Sequence, residues 1–249
     1  LLMKKFLVIG NPIEHSLSPM LHNYWIKDNG IDAIYEKQKL NKDELKKIIL
    51  QLKEKKINGV NVTVPFKKII IPFLDKLSIE ADKTQSVNTL YLKHDKVIGH
   101  NTDIFGFETS IKKSQYDVFN KEVLILGAGG VVPSIIYALN KMKVAKIKIS
   151  NRTKEKAENL KKLFKNIELT EWGEVPKFDI IINATSIGLK KEDYLNLNLS
   201  FTSKKSLFYD VIYNPRVTNF LRTGKSLGNM TLNGKLMFIY QALSAFKIW

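Results

Sequence analysis

The sequence contains no cysteine. A disulfide framework, a thiolate nucleophile and a cysteine-ligated zinc site are therefore excluded. Histidine is nearly as scarce. His15, His22, His94 and His100 are the only four, and none stands in an HExxH pattern or another tight cluster, so no metal site is expected. Three arginines, Arg152, Arg216 and Arg222, accompany 37 lysines. Direct reading of bases leans on arginine more than this. The lysines are spread along the chain, as in 42–56 and 154–165, and not gathered in one tail. The net charge of +16 therefore reads as solvated helix faces that attract anionic substrates and cofactors, with no nucleic-acid partner expected. No apolar run reaches the length of a membrane span. The apolar start lacks the small-residue cleavage region of a signal peptide, and the two leucines ahead of Met3 read as a cloning remnant or an upstream start. The expected location is cytoplasmic. What is present is ordinary for a soluble protein: 249 residues, 44% hydrophobic and 26% charged, enough for one α/β domain or two modest ones.

The most informative stretch is Glu122–Val131, EVLILGAGGV. A short apolar run is followed at once by Gly127-Ala128-Gly129-Gly130 and then by a helical-looking run, 131–142. Gly127 suits a turn with positive φ. Gly129 and Gly130 would let the backbone come close to a bound group, and the free N–H groups of the helix start would face a diphosphate. Glycines at a strand-to-helix turn also have a purely structural reading. The next strand, 146–150, tips the balance, because it ends in Asn151-Arg152-Thr153 at about the separation where a dinucleotide site addresses the adenosine ribose. An acidic residue there would suit a free 2′-hydroxyl; Arg152, with Lys156 close behind, suits a 2′-phosphate and thus NADP. Val132 replaces the third glycine of the usual fingerprint. No Gly-Lys-Ser/Thr follows, which argues against a P-loop hydrolase.

The first half alternates strands and helices. Phe6–Ile9 is a strand. The loop 13–19 brings Ser16 and Ser18 to one side, where two hydroxyls could hold a carboxylate or polyol; Ser18 could equally cap the helix 19–27. A strand at 34–40 precedes a helix at 44–55, capped by Asn41 or Asp43, with Leu45, Ile48, Ile49 and Leu52 at helical spacing. A strand at 59–64 leads through Pro65-Phe66-Lys67 into a helix reaching Leu77. Strands at 88–92 and 96–98 flank a turn at His94-Asp95. Asp103 stands where a helix begins and so could be a simple N-cap. Yet Asn88, Asn101, Thr102 and Asp103 crowd two adjoining loops between apolar strands, more polar side chains than structure alone requires. The alternation predicts a mostly parallel sheet with candidate binding loops at the strand C-terminal ends.

Taken together, GNPIEHSLSP at 10–19, Asn61–Lys67, Ser86–Leu90, Gly99–Asp103, the Gly127–Gly130 turn, Asn151–Thr153, NATSIG at 183–188, YDVIYNP at 209–215, Asn233-Gly234 and Gln241 resemble the shikimate/quinate dehydrogenase family. The likeness covers nearly the whole chain in the family's order. It implies an α/β fold with an N-terminal substrate domain (1–107), a Rossmann-like NADP-binding domain (108–228), a C-terminal helix (229–249) returning to the first domain, and a cleft between the two that opens and closes. It implies NADPH-dependent reduction of 3-dehydroshikimate to shikimate, in the pathway to chorismate and the aromatic amino acids. Lys67 and Asp103 become the catalytic pair: an ammonium beside the carbonyl stabilises developing charge and relays a proton, and the carboxylate holds it in place. Ser16 and Ser18 would bind the substrate carboxylate, while Thr63, Asn88, Asp103 and Gln241 would contact ring hydroxyls with Tyr213 beside them. Gly127, Ala128, Gly129, Gly130, Val131, Asn151, Arg152, Thr153, Lys156, Thr185, Val211 and Gly234 would hold NADP. A monomer or homodimer is expected, with no membrane partner.

Further strands are expected at 123–126, 146–150, near Ile167, at 179–183 and at 207–211, and a final helix at 235–249. The chain departs from the family's pattern at Ile104, where glycine is usual, at Ile79, where an acidic residue is common, and at Val131-Val132-Pro133. A β-branched residue at 104 requires right-handed backbone there. A quinate or dual-specificity enzyme, and a dinucleotide-binding protein without turnover, are the competing readings.

Overall fold

The computed structural model describes residues 3–249. The chain divides into two compact units, one ending at Gly106 and joined by Ile239–Trp249, the other spanning Phe107–Phe238.

The first unit contains β1 (Lys4–Gly10), α1 (Ser18–Asp28), β2 (Ala33–Lys39), α2 (Leu45–Lys53), β3 (Gly59–Val62), α3 (Phe66–Ile69), β4 (Lys76–Leu77), α4 (Ile79–Thr84), β5 (Thr89–Lys93) and β6 (Lys96–His100). Its sheet has the order β2-β1-β3-β5-β6-β4. The first three of these are parallel, as βαβ connections demand, while β5 and β6 form an antiparallel hairpin. His94 and Asp95 turn that hairpin with φ of 49° and 58°, the left-handed pair that matches strand twist. α2 buries Leu45, Ile48, Ile49 and Leu52 on one stripe against Leu7, Ile9, Val60 and Leu90. Helix α5 (Asp103–Ser114) then leaves the unit, with Ile104 in right-handed helical backbone as its β-branched side chain requires.

The second unit holds β7 (Glu122–Leu126), α6 (Val132–Lys141), β8 (Lys146–Ser150), α7 (Lys154–Leu163), β9 (Ile167–Thr170), β10 (Ile180–Asn183), β11 (Leu207–Asp210), α8 (Asn219–Ser226) and β12 (Met230–Leu232). Its sheet order is β12-β11-β10-β7-β8-β9, with every neighbouring pair parallel. This is the doubly wound order of dinucleotide-binding folds. β10 and β11 are buried along their whole length, which is why they read as continuous apolar runs. The last helix, α9 (Lys235–Ile248), begins in this unit and ends in the first. There Trp249 stacks on Phe6 at 4.9 Å and donates its indole N–H to the Leu90 carbonyl at 3.1 Å. A Cβ at Gly59 would come within 2.3 Å of that indole, so β3 starts with the one residue that admits it.

Several local expectations need correction. The helix expected to reach Leu77 stops at Ile69 and a single 3-10 turn follows at Ile71–Phe73, because Pro72 brings no N–H to continue the ladder. The strand expected to reach Val64 ends at Val62, and Pro65 serves as the cap position of α3. Ser18 does not cap α1: it is the first helical residue, the cap position is Leu17, and no side-chain cap bond forms. Asn41, not Asp43, starts the turn ahead of α2, with the Glu44 carboxylate accepting from its backbone N–H at 2.7 Å. Helices α4 and α8 and strand β12 were not anticipated; β12 is a three-residue edge strand, too short and too exposed to show a pattern.

Candidate active site

Lys67 and Asp103 meet. The Lys67 ammonium donates to Asp103 Oδ2 at 2.5 Å, and the two side chains are only 12% and 7% exposed. Lys67 lies in α3, whose position is set from both sides: the Phe66 N–H bonds to the Thr63 carbonyl at 2.9 Å, and the Lys67 carbonyl accepts from Val87 at 2.8 Å. Asp103 is the first residue of α5, but its carboxylate is not spent on capping. The Asn101 side chain takes the Asp103 N–H instead, at 3.0 Å. Both carboxylate oxygens stay available, and the second accepts from Asn88 Nδ2 at 3.1 Å. An ammonium has three N–H groups, so the bond to Asp103 leaves two for a substrate oxygen.

Asn88 is the hub. Its amide also donates to Thr102 Oγ1 at 2.8 Å and to Gln241 Oε1 at 3.4 Å, and its carbonyl oxygen accepts from the Thr102 N–H at 2.8 Å. Behind it, Asn61 donates to the Asn88 carbonyl and to Thr89 Oγ1, and accepts from the buried Tyr35 hydroxyl at 2.6 Å. Buried polar groups paired in this way have little freedom to turn. Ser18 is buried, with its hydroxyl against that of Tyr35, and its backbone N–H reaches Ser16 Oγ at 3.4 Å. Thr63 is half-buried beside Gly10, where a Cβ would stand 2.6 Å from the threonine methyl. That glycine lets the loops after β1 and β3 lie side by side. Thus Ser18, Lys67, Asn88, Asp103 and Gln241 join one set of hydrogen bonds in the first unit. Tyr213 does not join it: it belongs to the second unit and stacks on Phe238 at 4.5 Å.

In the second unit the strand register brings Leu126, Ser150, Asn183 and Asp210 to one edge of the sheet. The loops carrying the remaining expected residues all leave from that edge. Gly127 has φ of 109°, and a Cβ there would stand 2.7 Å from the Ala184 carbonyl, so the turn requires glycine. No atom lies within 4 Å of a Cβ built on Gly129, and Gly129 and Gly130 are exposed. The backbone is open to an approaching anion at the start of α6, where Pro133 occupies the first turn. Asn151 stands beside the turn, its amide on the Thr153 carbonyl at 2.7 Å, and Arg152, Thr153 and Lys156 are exposed. Thr185 donates to the Asn183 side chain at 2.7 Å, and a Cβ at Gly234 would lie 2.0 Å from the Val211 carbonyl. This combination fits a 2′-phosphorylated dinucleotide: open backbone for the diphosphate, exposed cations for the 2′-phosphate.

Sequence reasoning missed the supports. Asp210 accepts from Thr218 Oγ1, Ile212 N–H and Asn183 Nδ2, and burial raises its carboxyl to about 6. Asn61, Tyr35 and Asn183 have no assigned role in the sequence analysis, and Thr102 stands there only as one of four crowded polar side chains. The available signal was a polar residue inside or ending a wholly buried strand, as in the GVNV of β3 and the IIIN of β10. Among the described residues, no cluster of histidine, aspartate and glutamate could hold a metal ion.

The shikimate dehydrogenase substrate binding domain matches residues 8–90, and the shikimate/quinate 5-dehydrogenase family matches 110–218. A shikimate dehydrogenase (NADP+) of Pelagibacter ubique is 60% identical over 246 residues, 99% of this chain and 93% of that one. The crystal structure of shikimate dehydrogenase from Aquifex aeolicus superposes with a TM-score of 0.92 at 40% identity, covering 99% of this chain and 92% of the other. A Thermus thermophilus shikimate 5-dehydrogenase, crystallised with NADP(H) and shikimate, gives a TM-score of 0.90 at 29% identity, covering 99% and 93%. With sequence matches in both units and solved relatives alike over nearly its full length, the chain belongs to the shikimate dehydrogenase family.

Proposed function

We propose that the chain catalyses the reversible NADP-dependent interconversion of 3-dehydroshikimate and shikimate, with the substrate held by the first unit and the cofactor by the second. The observation that carries this reading is the buried Lys67–Asp103 pair at 2.5 Å, with Asn88 fixing the other carboxylate oxygen. When bound, NADPH supplies a hydride to the ring ketone carbon. Lys67 gives a proton to the ketone oxygen, and Asp103 aims the ammonium. In the oxidative direction Lys67 takes the alcohol proton. Ser16 and Ser18 bind the substrate carboxylate. Thr63, Asn88, Asp103 and Gln241 take the ring hydroxyls, and Tyr213 is a further substrate contact. A triol acid needs this many partners, because a missing hydroxyl leaves a buried group unpaired.

The residues Gly127–Val131 and the start of α6 hold the diphosphate. Asn151, Arg152, Thr153 and Lys156 hold the phosphorylated ribose, and Thr185, Val211 and Gly234 line the nicotinamide. The working form is a cytoplasmic monomer or homodimer. Among the described residues, no helix is long and apolar enough to cross a membrane.

The test is loss of NADPH absorbance on adding 3-dehydroshikimate, with 3-dehydroquinate and NADH in parallel. Turnover with NADPH at least tenfold above NADH is expected from the arginine at 152, and turnover of 3-dehydroshikimate above 3-dehydroquinate from the ring-hydroxyl partners. Equal turnover of 3-dehydroquinate would move the chain to the dual-specificity relatives. Folded protein with no turnover of any pair would overturn the reading.

A further inference from the structure

The Lys67–Asp103 pair stands at the end of a longer line of hydrogen bonds, and the chemistry of its members fixes the direction of each one. The Asn88 carbonyl can only accept, and the Asn61 amide nitrogen donates to it at 3.0 Å. The Asn61 side-chain oxygen must then face Tyr35. The Tyr35 hydroxyl therefore gives its one hydrogen to Asn61, at 2.6 Å, and can only accept from Ser18. Burial holds that hydroxyl well above the usual tyrosine range, so the hydrogen stays on it.

From Asn61 the line runs on toward the catalytic pair. Asn61 Nδ2 also donates to Thr89 Oγ1 at 3.1 Å, which turns the Thr89 hydrogen to Asn88 Oδ1 at 3.0 Å. Asn88 Oδ1 also takes the Thr102 N–H at 2.8 Å, so it is Asn88 Nδ2 that points at Asp103 Oδ1, at 3.1 Å. Every donor from Tyr35 through Asn61, Thr89 and Asn88 thus points toward Asp103, and all of these residues are buried. Buried bonds aligned in one direction polarise one another. Tyr35 is the fixed point of the line. The Asn23 side chain bonds both its backbone N–H and its carbonyl, at 2.9 and 2.8 Å, and its ring stacks on His22 at 4.2 Å and 4°.

We propose that Tyr35 is a positioning residue for the dehydrogenase reaction: through Asn61, Thr89 and Asn88 it fixes the Asp103 carboxylate that aims Lys67. The inference rests on the roles given to Lys67 and Asp103 under the proposed function. Tyr35 acts through the line and not by contact with the substrate.

The test compares the intact parent with Tyr35→Phe, Thr89→Val and the double variant. Steady-state rates with NADPH and 3-dehydroshikimate are one readout, and the NMR signals of the Asn88 side-chain amide in the ligand-free protein are the other. Phe keeps the stack on His22 and Val keeps the shape of Thr89, so each change removes one link. Each should lower kcat about tenfold, as loss of a hydrogen bond to a buried group does, with the KM for NADPH within about twofold of the parent. Because both cut the same line, the double variant should be at most about twofold slower than the slower single variant, where independent structural defects would multiply to about a hundredfold. Tyr35→Phe should move the Asn88 amide signals in the parent and less than about half as far in the Thr89→Val background. Multiplying losses in kcat, a Tyr35→Phe kcat equal to the parent's, or Asn88 signals untouched by Tyr35→Phe would each overturn the proposal. A parent without turnover counts against the dehydrogenase reading, whereas the Asn88 signals judge the line from Tyr35 to Asp103 with no turnover needed.

Discussion

In the first unit the polar groups at the strand ends are side chains held by other side chains: Lys67 by Asp103, Asp103 by Asn88, Asn88 by Thr102 and Gln241. In the second unit the groups turned outward are backbone and exposed cations. Gly129 is open and Arg152 and Lys156 are exposed, while the buried side chains there, Asn183 and Asp210, only shape the loops. The difference follows from what each unit has to do. A proton moves over a fraction of an ångström, so its donor must be fixed, and a buried ion pair with a donor on each carboxylate oxygen is a rigid device. A phosphate spreads its charge over several oxygens, and open N–H groups with long flexible cations serve it without a rigid frame.

The comparison breaks most visibly at Lys67. Lys67→Ala should lower kcat by about three orders of magnitude, as loss of a positioned proton donor does, with NADPH affinity within twofold of the parent. Steady-state rates and a titration of NADPH fluorescence measure the two. Asp103→Asn keeps the shape but removes the charge that aims Lys67, so kcat should fall by about a hundredfold. In the other unit, Arg152→Ala should raise the KM for NADPH by about ten- to a hundredfold through loss of bonds to a charged phosphate. The KM for NADH, which lacks that phosphate, should barely move, and parallel saturation curves with the two cofactors would show it.

The units should also differ in sign with pH. The His22 pKa is lowered from 6.5 to about 3 in the folded chain, so its contribution is complete above pH 6.5 and is lost as pH falls toward 3. The Asp210 pKa is raised from 3.8 to about 6, so its contribution is complete below 3.8 and is lost as pH rises through 6. On going from pH 7 to 4.5, amides of β1 and β2 should lose about 2 kcal/mol of protection and amides of β10 and β11 should gain about as much. Hydrogen exchange read strand by strand checks this. The same sign in both units would show that another group dominates.

The two units were also unequally legible in the sequence. The second announced itself through local chemistry: an apolar strand, a glycine that only a φ of 109° needs, and an arginine one strand later. Short-range pattern suffices there because parallel strands are apolar throughout and the anion site is a turn. In the first unit Lys67 is one of 37 lysines and Asp103 looks like a helix cap. Their pairing spans 36 residues and is fixed by the hairpin β5–β6 and by Asn88, which no local periodicity reveals. Resemblance to a family supplied what spacing could not. The supporting roles of Asn61 and Asp210 escaped both routes, because a single buried polar residue in a strand carries no periodic signal. The helix ends failed for a simpler reason: Pro72 and Leu17 set them through backbone geometry, against the capping preference of Ser18.

The claim that one unit carries the proton chemistry and the other the cofactor is tested most directly by a double-mutant cycle. The quantity is kcat/KM for NADPH with 3-dehydroshikimate saturating, measured for the parent, Asp103→Asn, Arg152→Ala and the double variant. Independent sites predict that the two losses add to within about 0.5 kcal/mol. A coupling above about 1 kcal/mol would contradict the division, because it would mean that Asp103 and Arg152 act on the same step.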